Sequence, residues 1–245
     1  MALLLLVQPS SLAALPPLNL SSRSLLNPTR PLFSLSLVPR PPSLCPVHAT
    51  TRRPISCFSV LGKVIHKALC EHCRALTGHN NVFEQFADRK GAGAEMAIFV
   101  INSVLAQREG LPTYLIFVDV KGAYDAVWKS ALKVKLLAFG VHDKVLRLVM
   151  SIVKENPTRI KVQGELSEIL SVLVGVAQGA PISGFLFTTF LRDLIQLLND
   201  GKLSLECLGG CLAGFFMMDD LTLFASSEDT ALQILHLLDA YADTW

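Results

Sequence analysis

After residue 55 the chain shifts between stretches where apolar residues recur every three or four positions and short runs where they are continuous. The first spacing predicts helices and the second predicts buried strands. Residues 60–76 predict a helix with Val60, Val64, Ala68 and Leu76 along one face. "GAEMAIFVINSVLAQREG" predicts another, stopped near residues 110–112 by Gly and Pro. "TYLIFVDV" predicts a strand, and "SALKVKLLAFG" and "DKVLRLVMSIVKEN" predict amphipathic helices closed by Gly140 and Pro157. "RIKVQG" and "EILSVLVG" predict a hairpin around residues 164 and 165. A strongly apolar helix, "GFLFTTFLRDLIQLLND", follows. A strand pair around Asp219 and Asp220 and a last helix, "TALQILHLLDAYADTW", complete the chain. Helices interleaved with hairpins predict an α+β fold: a mostly antiparallel sheet with helices on one face.

The first 54 residues break this pattern. They hold ten of the thirteen prolines, and Pro cannot propagate a helix. "ALLLLV" is far short of the ~20 residues a membrane span needs, so no stable membrane association is expected. We read residues 1–51 as a disordered Pro/Ser/Leu-rich segment. It contains arginine but no acidic residue, a composition shared with organelle transit peptides. The formal net charge is +2. With the four arginines of residues 1–52 set aside, 18 basic residues face 20 acidic ones, which fits poorly with a strong grip on a polyanion. The six cysteines form no disulfide framework in a chain of 245 residues. His66, Cys70 and Cys73 share one helix face, which cannot wrap a tetrahedral ion, so zinc is not expected.

"GFFMMDDLTLFA" sets two carboxylates inside an apolar run. Buried carboxylates are costly unless paired, and neighbours in a strand point to opposite faces. A hairpin with Asp219 and Asp220 at its tip keeps the flanks buried and lets the acids emerge. Asp119, ending the "TYLIFVDV" strand, supplies a third carboxylate. If the two strands are adjacent, Asp119 and Asp219 would face each other across the sheet. Mg²⁺ takes oxygen ligands, usually one or two carboxylates plus substrate phosphates.

"FVDVKGAYDAVW", "GVAQGAPISGFLF" and "FMMDDLTLFA" resemble, in order, three catalytic motifs of reverse transcriptases, especially those of non-LTR (LINE-type) retrotransposons. "RRPISCFSVLGKVIHKAL" and "EQFADRKGAGAEMAI" are similar to two fingers segments of the same family. The resemblance implies a right-hand polymerase fold, with fingers at about residues 52–112, palm at about 113–245 and no thumb. It implies RNA-templated DNA synthesis by two-metal nucleotidyl transfer, on an RNA template, a DNA primer and dNTPs. Asp119 and Asp219 would hold two Mg²⁺ or Mn²⁺ ions, the Val120 carbonyl would add a ligand, and Asp220 would assist electrostatically. Tyr124 would exclude a 2′-OH, Gln178 and Gly179 would line the nucleotide pocket, and Arg53 and Arg89 would grip triphosphate and template. Asp125 is read as structural.

The chain departs from the family's pattern at several places. Met217 stands where the family usually has Tyr, and Gly184 replaces a common Pro. Ala87 and Asp88 replace Gly-Phe, and Asp88 adds a negative charge beside Arg89, expected to weaken anion binding. Trp245 falls where the family continues into a further palm motif and a thumb. These departures favour an ancestral or residual activity of a truncated retrotransposon polymerase. The alternatives are a non-catalytic retroelement relic and an organellar group II intron maturase-like protein.

Overall fold

The computed structural model describes residues 4–7, 55–78, 83–89, 91–154, 157–162 and 165–245. The elements in chain order are β1 (Leu4–Val7), α1 (Val60–Thr77), α2 (Ala94–Gln107), β2 (Tyr114–Asp119), α3 (Ala123–Ala126), α4 (Lys129–Ala138) and α5 (Asp143–Lys154). Next come the short strands β3 (Pro157–Thr158), β4 (Lys161–Val162), β5 (Glu165–Leu166) and β6 (Leu170–Ser171), then α6 (Ser183–Asp200). The chain ends with β7 (Leu205–Cys207), β8 (Gly210–Leu212), β9 (Gly214–Met217), β10 (Asp220–Ala225) and α7 (Glu228–Thr244). They fall into two compact units. One holds β1 with residues 93–121 and 194–245; the other holds the described residues of 55–92 and 122–193. Among the described residues no helix is long and apolar enough to cross a membrane.

The first unit is built on a four-stranded antiparallel sheet in the order β1-β2-β10-β9. Leu221, Leu223, Phe224 and Ala225 of the central β10 are buried almost completely, as a strand covered on both faces requires. Helix α7 packs against β10 and β2. It starts at Ser227, whose side chain accepts a hydrogen bond from the Thr230 N–H at 3.1 Å, and Glu228 and Asp229 complement the helix dipole in its first turn. It then buries Ala231, Ile234, Leu238 and Tyr241 at helical spacing. Two pieces of this unit differ from expectation. Leu4–Val7 pairs with β2 as an edge strand, although residues 1–51 were expected to stand outside the fold. The rest of that segment, with its transit-peptide reading, lies outside the described residues. The hairpin β7–β8 is not among the elements predicted from the sequence; its turn residues Leu208 and Gly209 both have positive φ, at 53° and 78°, as a type I′ connection requires.

In the second unit α1 and α4 both pack on α5. Ser59 caps α1 by accepting from the Gly62 N–H at 3.1 Å. The buried face of α1 is His66, Leu69, Cys70, Cys73 and Thr77. The face expected to be buried is exposed instead, Val60 at 81% and Val64 at 59%. The helix carries apolar residues on two faces, and the core takes the one whose small Cys and Thr side chains permit close approach. Burial pushes the Cys70 thiol up to about 12 and the Cys73 thiol up to about 11. Lys135 of α4 is buried and donates to the Phe190 carbonyl at 2.7 Å and to the Asp193 carboxylate at 2.8 Å, fastening α4 to α6. Burial pulls its ammonium down to about 8, against the partly offsetting Asp193 charge. The expected hairpin forms as two nested pairs, β3 with β6 and β4 with β5, so the returning chain pairs from Glu165 rather than from residue 168.

Candidate active site

The β9–β10 hairpin places the acidic pair. Phe215 and Phe216 are buried on β9, and the chain reverses through a two-residue turn, Met218 and Asp219. Met218 adopts φ 58° while Asp219 does not share the positive φ, the pattern of a type II′ connection. A side chain there costs roughly 1–2 kcal/mol, strain that the paired and buried flanks hold in place. Asp220 opens β10.

The register answers which acids meet. Asp220 lies directly opposite Asp119 at the end of the β2–β10 ladder. Directly opposed residues share a face, with Cβ atoms ~4.5–5.5 Å apart, and like charges there repel. The expected pairing of Asp119 with Asp219 is therefore corrected. The turn consumes two residues, so Asp219 belongs to the loop and the strand begins one residue later. Asp219 is still tied to β2, because its carbonyl accepts from the Val120 N–H at 3.0 Å. Val120 is buried, whereas Asp119 and Asp220 are exposed and Asp219 half-buried. Three carboxylates thus sit on one pair of adjacent strand ends. Among the described residues no side chain bonds or ion-pairs the carboxylates of Asp119 or Asp219.

This donor set is all oxygen, which suits a hard divalent cation. Among the described residues no three His, Cys, Asp or Glu side chains form a group that could hold a metal ion. The set fits a cation that completes its shell with phosphate and water, as Mg²⁺ does.

The second unit holds the other expected positions around the loop that precedes α6. This loop is fastened by main-chain bonds at both ends. The Gly175 N–H donates to the Val127 carbonyl at 2.9 Å and the Val176 N–H to the Tyr124 carbonyl at 2.8 Å. At the other end the Ser56 N–H donates to the Gln178 carbonyl at 2.7 Å. Close approach requires glycine at both places. A Cβ on Gly175, at φ 88°, would stand 2.8 Å from the Tyr124 carbonyl oxygen and 2.9 Å from the Asp125 Cα. One on Gly179, at φ 101°, would stand 2.9 Å from the Ser56 carbonyl oxygen. The Ser183 hydroxyl closes the loop by donating to the Ala177 carbonyl at 2.7 Å. Gly175 and Ser56 were not singled out from the sequence, although the first glycine of "GVAQG" was a signal for close backbone approach.

Tyr124 is half-buried, its ring stacked on Phe187 at 5.3 Å and 19° between planes. The stacking fixes a flat aromatic wall, while the Tyr124 carbonyl anchors the loop. Asp125 is exposed. Arg89 spends one guanidinium N–H on the Phe83 carbonyl of its own loop, at 3.1 Å. Arg53 lies outside the described residues. The expected charge conflict at Asp88 is corrected: Asp88, at φ 55°, pairs with Arg74 of α1, which also binds Glu71 at 2.8 Å. Burial pushes the Asp88 carboxyl up and the Arg74 hydrogen bond opposes it. The acid is spent on fixing the 83–89 segment to α1.

Residues 40–245 match the family model described as reverse transcriptase (RNA-dependent DNA polymerase), and the chain belongs to that family. Its relatives set it among the reverse transcriptase domains of non-LTR retrotransposons. One is a retrovirus-related Pol polyprotein from type-1 retrotransposable element R2 of Popillia japonica, 30% identical over 125 residues, covering 51% of this chain and 21% of that protein. Another, the same polyprotein of Bradysia coprophila, is 25% identical over 195 residues, 78% of this chain and 22% of the relative. The chain thus spans about a fifth of the length of the curated relatives it matches. Among solved structures it is similar to telomerase from Candida tropicalis in complex with a fragment of telomeric RNA, with TM-score 0.51 and 18% identity over 72% of this chain and 30% of that one. Telomerase from Candida albicans gives TM-score 0.51 at 15% identity over 71% of this chain and 32% of that one. At these identities the likeness is one of fold, an α+β reverse transcriptase palm and fingers.

Proposed function

We propose that this chain carries the nucleotidyl-transfer centre of a non-LTR reverse transcriptase, with fingers at about 52–112 and palm at about 113–245. The observation that carries this reading is the register that sets Asp119 opposite Asp220, with Asp219 tied to the next residue of β2. Asp119 and Asp219, with the Val120 carbonyl, would hold two divalent ions, and Asp220 would add negative charge beside them. Bound ions of this kind activate an attacking oxygen and neutralise a leaving one in phosphoryl displacement. The protein's own part is positioning and a fixed electrostatic field. The Tyr124 ring, backed by Phe187, would exclude a 2′-OH. The Gln178 and Gly179 loop, held by peptide groups, would line the base and sugar. Arg89 and Arg53 would meet phosphates.

Primer extension on an RNA template with Mg²⁺ or Mn²⁺ tests this. The expected result is a DNA product that disappears in Asp219→Asn. Absence of product above background with the unaltered chain overturns the catalytic reading in favour of a non-catalytic retroelement relic. Calorimetric titration with Mn²⁺ gives a second readout, with binding expected in the unaltered chain and lost in Asp119→Asn.

A further inference from the structure

A cavity of about 130 Å³ lies within the second unit, beneath the Gly175–Gln178 stretch of the loop. Much of its wall is apolar, with Ile152, Val174 and Leu186 among the lining residues. Two buried polar side chains interrupt that wall. Lys129 is 8% exposed, and its ammonium donates to the Val172 carbonyl. Among the described residues no carboxylate lies within ion-pair distance of it. An ammonium carries three donors, so this one retains capacity beyond Val172. His66 is 6% exposed, its ring tilted against Phe58 at 4.9 Å, and its Nδ1 has no partner among the described residues. Buried groups of both kinds are costly when unsatisfied. Asp125 also lines the cavity but is an exposed residue, placing its charge at the rim.

We propose that this cavity is a binding site for a small aliphatic carboxylate, its anionic head on Lys129 and His66 and its hydrocarbon body against the apolar wall. A carboxylate bound to Lys129 makes a charge-assisted hydrogen bond of the strong class. One buried cation matches one negative charge. A phosphate dianion would leave a charge unmatched, and the Asp125 carboxylate would repel it further. Size points the same way, because a 150 Å³ apolar cavity accommodates benzene. The available space therefore suits a ligand of about six non-hydrogen atoms. This site is separate in chemistry from the carboxylate cluster of the first unit and does not rest on the polymerase reading.

The test is calorimetric titration of the full chain with isobutyrate and with isobutyramide, its neutral counterpart of the same shape. Isobutyrate is expected to bind with a dissociation constant of about 1 mM, the range a six-atom ligand reaches, and about tenfold tighter than isobutyramide. Lys129→Met is expected to erase that difference, His66→Phe to weaken isobutyrate, and Asp125→Asn to tighten it. Equal binding of the acid and the amide by the unaltered chain overturns the proposal, as does binding of neither. Phosphate binding more tightly than isobutyrate overturns the assignment of a monocarboxylate. The comparison of acid with amide needs no variant, so a folding failure of Lys129→Met leaves the test intact.

Discussion

Replacing Gly175 with Ala should unfasten the loop before α6. The new Cβ would face the Tyr124 carbonyl oxygen at 2.8 Å, the Asp125 Cα at 2.9 Å and the Asp125 carbonyl oxygen at 3.0 Å. All three are backbone atoms, so no side chain can swing away. The backbone conformation, φ 88°, adds roughly 1–2 kcal/mol for any residue with a Cβ. Relieving the overlap means displacing the loop and weakening two main-chain bonds, those of Gly175 to Val127 and of Val176 to Tyr124. Each contributes about 0.5–1.5 kcal/mol. Together these give a loss of about 2–5 kcal/mol. Gly91 supplies the control: its φ is 79°, and a Cβ there meets nothing within 4 Å. Gly91→Ala should therefore cost only the conformational part, about 1–2 kcal/mol. Urea denaturation of both variants measures the difference, and hydrogen exchange at the Val176 amide reports the loop directly. If Gly175→Ala is no more destabilising than Gly91→Ala, or leaves Val176 as protected as before, the loop is not held by this contact.

Other expectations follow from the same geometry. Asp119→Asn removes one of two directly opposed charges, so without divalent ions it should raise the stability read from urea denaturation by about 0.2–1 kcal/mol; a fall instead would show that the two acids do not repel. Met218→Gly should raise stability in thermal denaturation by about 1 kcal/mol, because Met218 sits at φ 58°; an unchanged or lower melting temperature would show that the turn is not strained. Burial raises the thiols of Cys70 and Cys73 from 9.0 to about 12 and about 11, so the unfolded chain releases these protons first. Their contribution is complete below pH ~9 and is lost as pH rises through the folded values. A Cys70→Ala, Cys73→Ala double variant should lose less stability between pH ~9 and ~11 than the unaltered chain, read as urea midpoints across that range.

The long helices were legible because they carry apolar residues at helical spacing, several of them stopped by Gly or Pro, and the hairpin tip because two acids cannot stay inside "FFMMDDLTLF". Register was not legible. Whether Asp219 or Asp220 opposes Asp119 depends on how many residues the turn consumes, and Met at φ 58° gives no local warning of that choice. Strand β1 was hidden by its proline-rich surroundings, since its pairing is with residues more than a hundred positions away. The β7–β8 hairpin, "LECLGGCL", lacks the β-branched run that marks a strand, leaving only its glycines as a clue. The exposed Val60 and Val64 face of α1 shows the limit of periodicity: two candidate faces compete, and only tertiary packing chooses. Asp88 looked like a liability because its partner, Arg74, lies fourteen residues upstream on another element.

The loop before α6 is moored by amide groups and two glycines. Gln178, half-buried, is bonded through its C=O, which every amino acid supplies alike. Substitution at this position can therefore alter what the loop touches while keeping that main-chain bond. Inheritance of shape is thereby uncoupled from inheritance of chemistry: a copy of this element that mutates without correction would keep its cleft long after the groups lining it had changed, and would lose it abruptly once either glycine acquired a side chain.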